Sequence, residues 1–178
     1  GNKENLSLDE FEIIHMRKEP PYDLSFHYAT CILSLTRATV VNHPQALRDQ
    51  NEKLIILNFP NDIPKTIVSS KTDEIIDFVR GLGGDGIVKS LDTYQGKSVF
   101  RMNSGETEAR EKLMHMTESG KVPVMVQEFL PDILEKGDKR IIVLGDRVLG
   151  AVGRIPKKGE YHSNFSQGGT PHLAQLTA

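Results

Sequence analysis

The chain has 178 residues, of which 38% are hydrophobic and 26% charged, and its formal net charge is −2 at pH 7. That length allows one good core or two small domains, and the composition is that of an ordinary soluble globular protein. The lack of a basic excess argues against a nucleic-acid partner, and no stretch approaches the roughly 18 to 20 apolar residues of a membrane span. One cysteine, Cys31, excludes an intrachain disulfide framework and fits a reducing, cytoplasmic setting.

In chain order, Phe11 to Met16 is predicted to form a short buried strand, stopped by the pair Pro20-Pro21. From Leu24 to Leu35 the apolar residues Tyr28, Cys31, Ile32 and Leu35 recur at helical spacing and are expected on the buried face. Ala38 to Val41 follows as a second strand of the same small α/β layer, and this first domain is expected to cover residues 1–50. Pro44 suits the first position of a helix predicted to run from Gln45 to Leu57, with Leu47, Leu54 and Leu57 on a mixed face and Lys53 within it. Thr66 to Ser69 reads as a strand. Ser70 or Thr72 is then expected to cap a helix that reaches Gly81 and buries Ile75, Ile76 and Val79.

Gly86 to Leu91 is the next predicted strand, with Lys89 directly after two β-branched residues. A turn at Tyr94 to Lys97 returns the chain along Ser98 to Met102. Thr107 to Ser119 is expected to be an amphipathic helix, ended by Gly120 and buried at Leu113 and Met116. Val124 to Glu128 is a strand, Pro131 to Asp138 a connector too polar for a core, and a hairpin is predicted around Gly145-Asp146, residues suited to positive φ. Lys157 to Gly169 lacks periodicity and reads as a mobile loop. Gly1 and the unclosed end at Thr177-Ala178 suggest that the sequence is a fragment.

Lys89 carries the sharpest chemical signal, because an ammonium on an apolar strand needs a partner, a ligand phosphate or a path to water. The turn from Tyr94 to Ser98 could fold over phosphates through backbone N–H groups, and Glu128 to Leu130, where a strand stops pairing, could offer backbone to an adenine edge. Arg154 lies between apolar neighbours, and its forked donors suit a phosphate or carboxylate. Asp138, Lys139 and Arg140 mix signs at a strand start, a pattern that also fits a solvated face. Six histidines are scattered without metal-ligand spacing, so no metal ligand is expected in this chain. The signatures of P-loop enzymes and of serine hydrolases are missing.

Taken together, several ordered blocks resemble the prokaryotic glutathione synthetases, members of the ATP-grasp ligases. They are MRKEPPYD from Met16, VNHPQALRD from Val41 with Asn51-Glu52-Lys53, KSLD from Lys89, GKSVFR from Gly96, QEFLP from Gln127, GDKR from Gly137 and RIP from Arg154. The resemblance implies an α+β ATP-grasp fold over residues 51–178, preceded by part of an α/β pre-ATP-grasp domain. It implies ATP with its phosphates on Lys53 and Lys89, adenine read around Glu128, Phe129 and Leu130, and Gly96, Gln127 and Asp138 in the same cofactor set. Arg140 and Arg154 would steady the transferred phosphoryl and an acyl phosphate, the catalytic role. Arg17, Asn164, Gly168 and Gly169 would lie on the substrate side, where γ-glutamylcysteine is joined to glycine.

The sequence departs from the family pattern at four places. Thr93 and Gln95 replace glycines of the flap, Ser90 stands where proline is usual, and His162 stands where an arginine is usual. The family's C-terminal segment, with the ligands for Mg2+, has no counterpart before Ala178, and the start of the N-terminal domain is missing as well. The expectation is therefore an inactive fragment of a cytoplasmic ligase whose parent is a homo-oligomer acting on small molecules. The alternative is a non-catalytic or divergent ATP-grasp module that binds a nucleotide.

Overall fold

The computed structural model describes residues 5–17, 22–92, 99–162 and 168–176. They fall into two compact units, one within Gly1–Ile63 and Ser90–Tyr94, the other within Pro64–Lys89 and Gln95–Ala178.

In the first unit β1 (Ile13–His15) pairs in parallel with β2 (Thr39–Val41), and α1 (Leu24–Leu33) makes the crossover that parallel strands require. Asp23 caps α1, its carboxylate accepting from the Phe26 N–H at 2.8 Å. The helix buries Phe26, Thr30 and Leu33 instead of the predicted stripe. Tyr28, Ile32 and Leu35 are 59%, 56% and 83% exposed, and Cys31 is exposed as well. The helix is apolar on most sides, so a period of three and four fits two stripes equally well, and packing selects the second.

Pro44 opens α2 (Pro44–Asp49) as expected, but the helix stops there instead of reaching Leu57. Asn51 is the cause: its side-chain oxygen accepts from the Lys53 and Leu54 N–H groups at 2.9 and 3.1 Å, and its amide donates to the Leu91 carbonyl at 3.0 Å. A side chain that takes these backbone donors competes with the helix, and the chain resumes as a 3-10 turn at Leu54–Asn58.

In the second unit a four-stranded sheet has the order β3 (Thr66–Ser69), β6 (Val124–Glu128), β4 (Asp85–Ser90), β5 (Val99–Asn103), with β3 antiparallel to β6 and β4 to β5. α3 (Thr72–Gly81) and α4 (Thr107–Met116) pack on one face. Neither Ser70 nor Thr72 takes the N-cap of α3, which falls on Lys71 without a side-chain bond. The Ser69 hydroxyl stands in, accepting from the Lys71 N–H and donating to Glu74. Ile75, Ile76 and Val79 of α3, with Ala109 and Leu113 of α4, close on Val88, Met102, Val124 and Val126. Burying one side chain of Leu113's size stabilises the fold by about 1.5–3 kcal/mol relative to leaving it in water. α4 ends three residues earlier than its pattern suggests, because Glu118, Ser119 and Gly120 all take positive φ.

A second, three-stranded antiparallel sheet runs β7 (Asp138–Leu144), β8 (Arg147–Ile155), β9 (Thr170–Leu173). Gly145 makes the hairpin turn with φ +60°. The connector ahead of it, too polar for a core, holds a single helical turn, α5 (Ile133–Lys136). β9 was also unforeseen: Pro171 weakens any strand pattern, and the sheet tolerates it because β9 lies at an edge. Among the described residues no helix is long and apolar enough to cross a membrane.

Candidate nucleotide site

Strand alternation builds the site. In the four-stranded sheet Val88, Met102 and Val126 face α3 and α4, and Ile67 packs against the same core. Their neighbours therefore point to the other face: Thr66 on β3, Gln127 on β6, Lys89 and Asp85 on β4, Arg101 on β5. Lys89 donates to Oε1 of Gln127 at 2.6 Å, and Nε2 of Gln127 donates to the Thr66 hydroxyl at 2.9 Å. Gln127 is only 5% exposed, so both ends of its amide need partners, and both have them.

Arg101 completes this face. Its guanidinium reaches both Asp85 oxygens, with the shortest contact 2.5 Å, and lies 3.8 Å from the centre of the Phe129 ring. Asp85 pushes the Arg101 guanidinium further above its ordinary range, chiefly through these hydrogen bonds. The Arg101 N–H also donates to the Tyr161 hydroxyl at 3.2 Å, and the Tyr161 ring sits 4.2 Å from that of His162. Phe129 is thus held, ring buried, in the segment that follows β6.

Two of the backbone groups in that segment are occupied. The Glu128 N–H donates to the Lys65 carbonyl at 3.0 Å, and the Leu130 carbonyl accepts from Ile133 at 3.1 Å. Those two groups are committed within the protein, so a backbone C=O and N–H for an adenine edge, as expected from Glu128 to Leu130, have to come from the remaining ones.

On the second sheet Asp138 and Arg154 are opposite residues of β7 and β8, and the carboxylate takes Nε and Nη2 of the arginine at 2.6 and 2.7 Å. The Arg154 side chain is 13% exposed. Arg140 lies two residues along β7, exposed and opposite Val152. Lys139 reaches the Gln175 carbonyl at 2.8 Å. Gly168 takes φ +88°, close to the Lys157 side chain, and Gly169 follows it. In the first unit the Lys53 side chain is 14% exposed and pairs with Glu52 at 2.7 Å, and Arg17 is exposed beyond β1. Gly96 and Asn164 lie outside the described residues.

Of the expected residues, Lys89 with Gln127 and Asp138 with Arg154 are thus joined directly. Thr66, Asp85, Arg101 and Tyr161 were missed. Alternation along β4 and β5 would have found Asp85 and Arg101, both in step with Lys89. Thr66 depends on a pairing with Gln127 that lies 61 residues away, and no local pattern reports it.

The architecture is that of the ATP-grasp fold. The crystal structure of D-cycloserine synthetase superposes with a TM-score of 0.74 at 16% identity, covering 97% of this chain and 63% of that one. A RimK-domain ATP-grasp protein from Sphaerobacter thermophilus gives 0.58 at 20% identity, over 80% of this chain and 55% of that one. Within that class, residues 1–48 match the N-terminal domain and residues 52–178 the ATP-grasp domain of prokaryotic glutathione synthetase, and the chain belongs to this family. Glutathione synthetases of Parasynechococcus marenigrum and Vibrio parahaemolyticus are 39% and 40% identical over 99% of the chain. The chain spans 58% and 56% of those two relatives.

Proposed function

We propose that the protein containing this chain is a glutathione synthetase, which joins γ-glutamylcysteine to glycine at the expense of ATP. The observation that carries this reading is the match, in order, to both domains of the family over nearly the whole chain. Lys89, held by Gln127, and Lys53 bind the nucleotide phosphates, and the Glu128 carbonyl and Leu130 N–H read the adenine edge, flanking a Phe129 pinned by Arg101. ATP supplies the phosphoryl group. Arg154, oriented by Asp138, and Arg140 offset the negative charge that develops on the transferred group and on the acyl phosphate. Arg17, Asn164, Gly168 and Gly169 serve the substrate side, and Gly96 and Asp138 complete the nucleotide set. Residues 1–50 are the end of the substrate domain and 51–178 the nucleotide domain.

Among the described residues no group of three or more His, Cys, Asp or Glu side chains could hold a metal ion. None of these roles is routed through Mg2+. The net charge of −2 lends no support to a nucleic-acid partner, and the single cysteine fits the cytoplasmic setting of an enzyme of small molecules. A homo-oligomeric parent is part of the same family reading.

The first test is the melting temperature of the chain with and without ATP and Mg2+. A rise of several degrees that Lys89→Ala abolishes supports the nucleotide site, and no shift in the folded full-length protein overturns that assignment. The second is ADP release by the full-length protein. A requirement for both γ-glutamylcysteine and glycine supports the ligase. Nucleotide binding without turnover would instead favour a binding module, the reading to which Thr93 and Gln95 in the flap point.

A further inference from the structure

We propose that Thr66 is a positioning residue for the nucleotide site, setting the direction of the Gln127 amide so that its oxygen faces Lys89. The inference rests on the nucleotide reading above and extends it to a residue that no motif in the chain marks.

The Thr66 hydroxyl donates to the Pro64 carbonyl at 2.6 Å, a group that can only accept. Its proton being committed there, the Thr66 oxygen accepts from Gln127, and Nε2 of Gln127 lies 2.9 Å away. The other end of the amide is then necessarily the carbonyl oxygen. It meets the Lys89 ammonium at 2.6 Å, and an ammonium has no acceptor capacity. Flipping the amide would set NH2 against the ammonium and oxygen against an oxygen whose proton is turned away. The four groups thus form a directional rung across three neighbouring strands, β3, β6 and β4. Its inner member, Gln127, is almost wholly buried, where an unmet polar group is costly and water cannot correct the orientation.

Thr66→Val removes the element that fixes direction while keeping shape and β-branching. ATP affinity of the chain, measured by titration calorimetry, should fall about tenfold, the scale of one misdirected charge-assisted hydrogen bond. Thr66→Ser, which keeps the hydroxyl, should stay within about twofold of the parent. In a Gln127→Met background there is no amide to direct, and adding Thr66→Val should change affinity by less than about twofold. A loss of the same size in both backgrounds would mean that Thr66 acts only by general packing and would overturn the inference, as would a Thr66→Val chain that binds like the parent.

A measurement without nucleotide separates this claim from the one it rests on. In the NMR spectrum of the free chain, NOEs should join the Gln127 NH2 protons to Thr66, and their absence overturns the rung whatever ATP does. Their presence together with no ATP response at all in the folded full-length protein would instead sink the nucleotide reading, and with it the proposed role of Thr66.

Discussion

Asp138 and Arg154 stand opposite each other on β7 and β8, and both carboxylate oxygens are engaged by the guanidinium at 2.6 and 2.7 Å. With its side chain 13% exposed, Arg154 depends on this pairing far more than a surface arginine would. Asp138→Ala removes both bonds and should lower unfolding stability by about 1–3 kcal/mol, whereas Asp138→Asn keeps one acceptor and should cost about half as much. Urea titration of the folded chain checks both, with an unchanged slope expected. Equal stability of all three forms would show that the pair contributes nothing to the sheet.

Gly137, the residue before this pair, tests how closely the backbone is packed. It takes φ +66°, and a Cβ built there would sit 2.0 Å from the Arg154 carbonyl oxygen, a rigid backbone atom. Gly145 takes nearly the same φ, +60°, with open space around it. Gly145→Ala should therefore cost only the left-handed penalty of about 1–2 kcal/mol. Gly137→Ala adds a backbone clash and should cost about 3 kcal/mol or more. Melting temperatures of the two variants decide the matter, and the order of the two is the critical result.

Much of the second unit was legible because its signals are local and mutually consistent. α3 announces itself by Ile75, Ile76 and Val79 at helical spacing, and the hairpin by Gly145-Asp146 between apolar runs. The errors occurred where a single long-range contact decides. Asn51 ends a helix by bonding backbone ahead of it and a carbonyl 40 residues away. The face of α1 is chosen by what packs against Phe26 and Leu33, and that choice exposes Cys31 against expectation. The site follows the same division. Lys89 and Glu128–Leu130 could be read from a strand carrying a charge and from a strand end, but the partner of Gln127 on β3 follows only from sheet order.

Acid should loosen the first unit through Asp9. Its carboxylate accepts from the Thr36 hydroxyl at 2.6 Å and from the Arg37 N–H at 2.8 Å, and these bonds, the first the stronger, hold it below the usual aspartate range. An acid whose folded value is depressed contributes stability above its unfolded value, near pH 4, and loses it as pH falls through the folded value. The difference in stability between the parent chain and Asp9→Asn should therefore be constant from neutral pH to about 5 and shrink below pH 4. Urea midpoints measured from pH 7 to 3 test this. A difference that grows on acidification would reverse the assigned sign.

Arg101 offers the last test, because it is bound on two sides by different physics. Asp85 holds the fork of its guanidinium, and the Phe129 ring lies 3.8 Å below its plane's centre. Since both charged side chains are partly exposed, the ion pair is worth about 0.5–1 kcal/mol and the ring contact a similar amount. Arg101→Lys keeps the charge but cannot bridge both oxygens and cover the ring together, so it should lose about 1 kcal/mol. Arg101→Met covers Phe129 but leaves Asp85 without its guanidinium. In that background Asp85→Asn should recover part of the loss, and in the parent it should not. A double-mutant cycle on unfolding stability measures this coupling, and additive losses from the two substitutions would show that Arg101 acts on Phe129 alone.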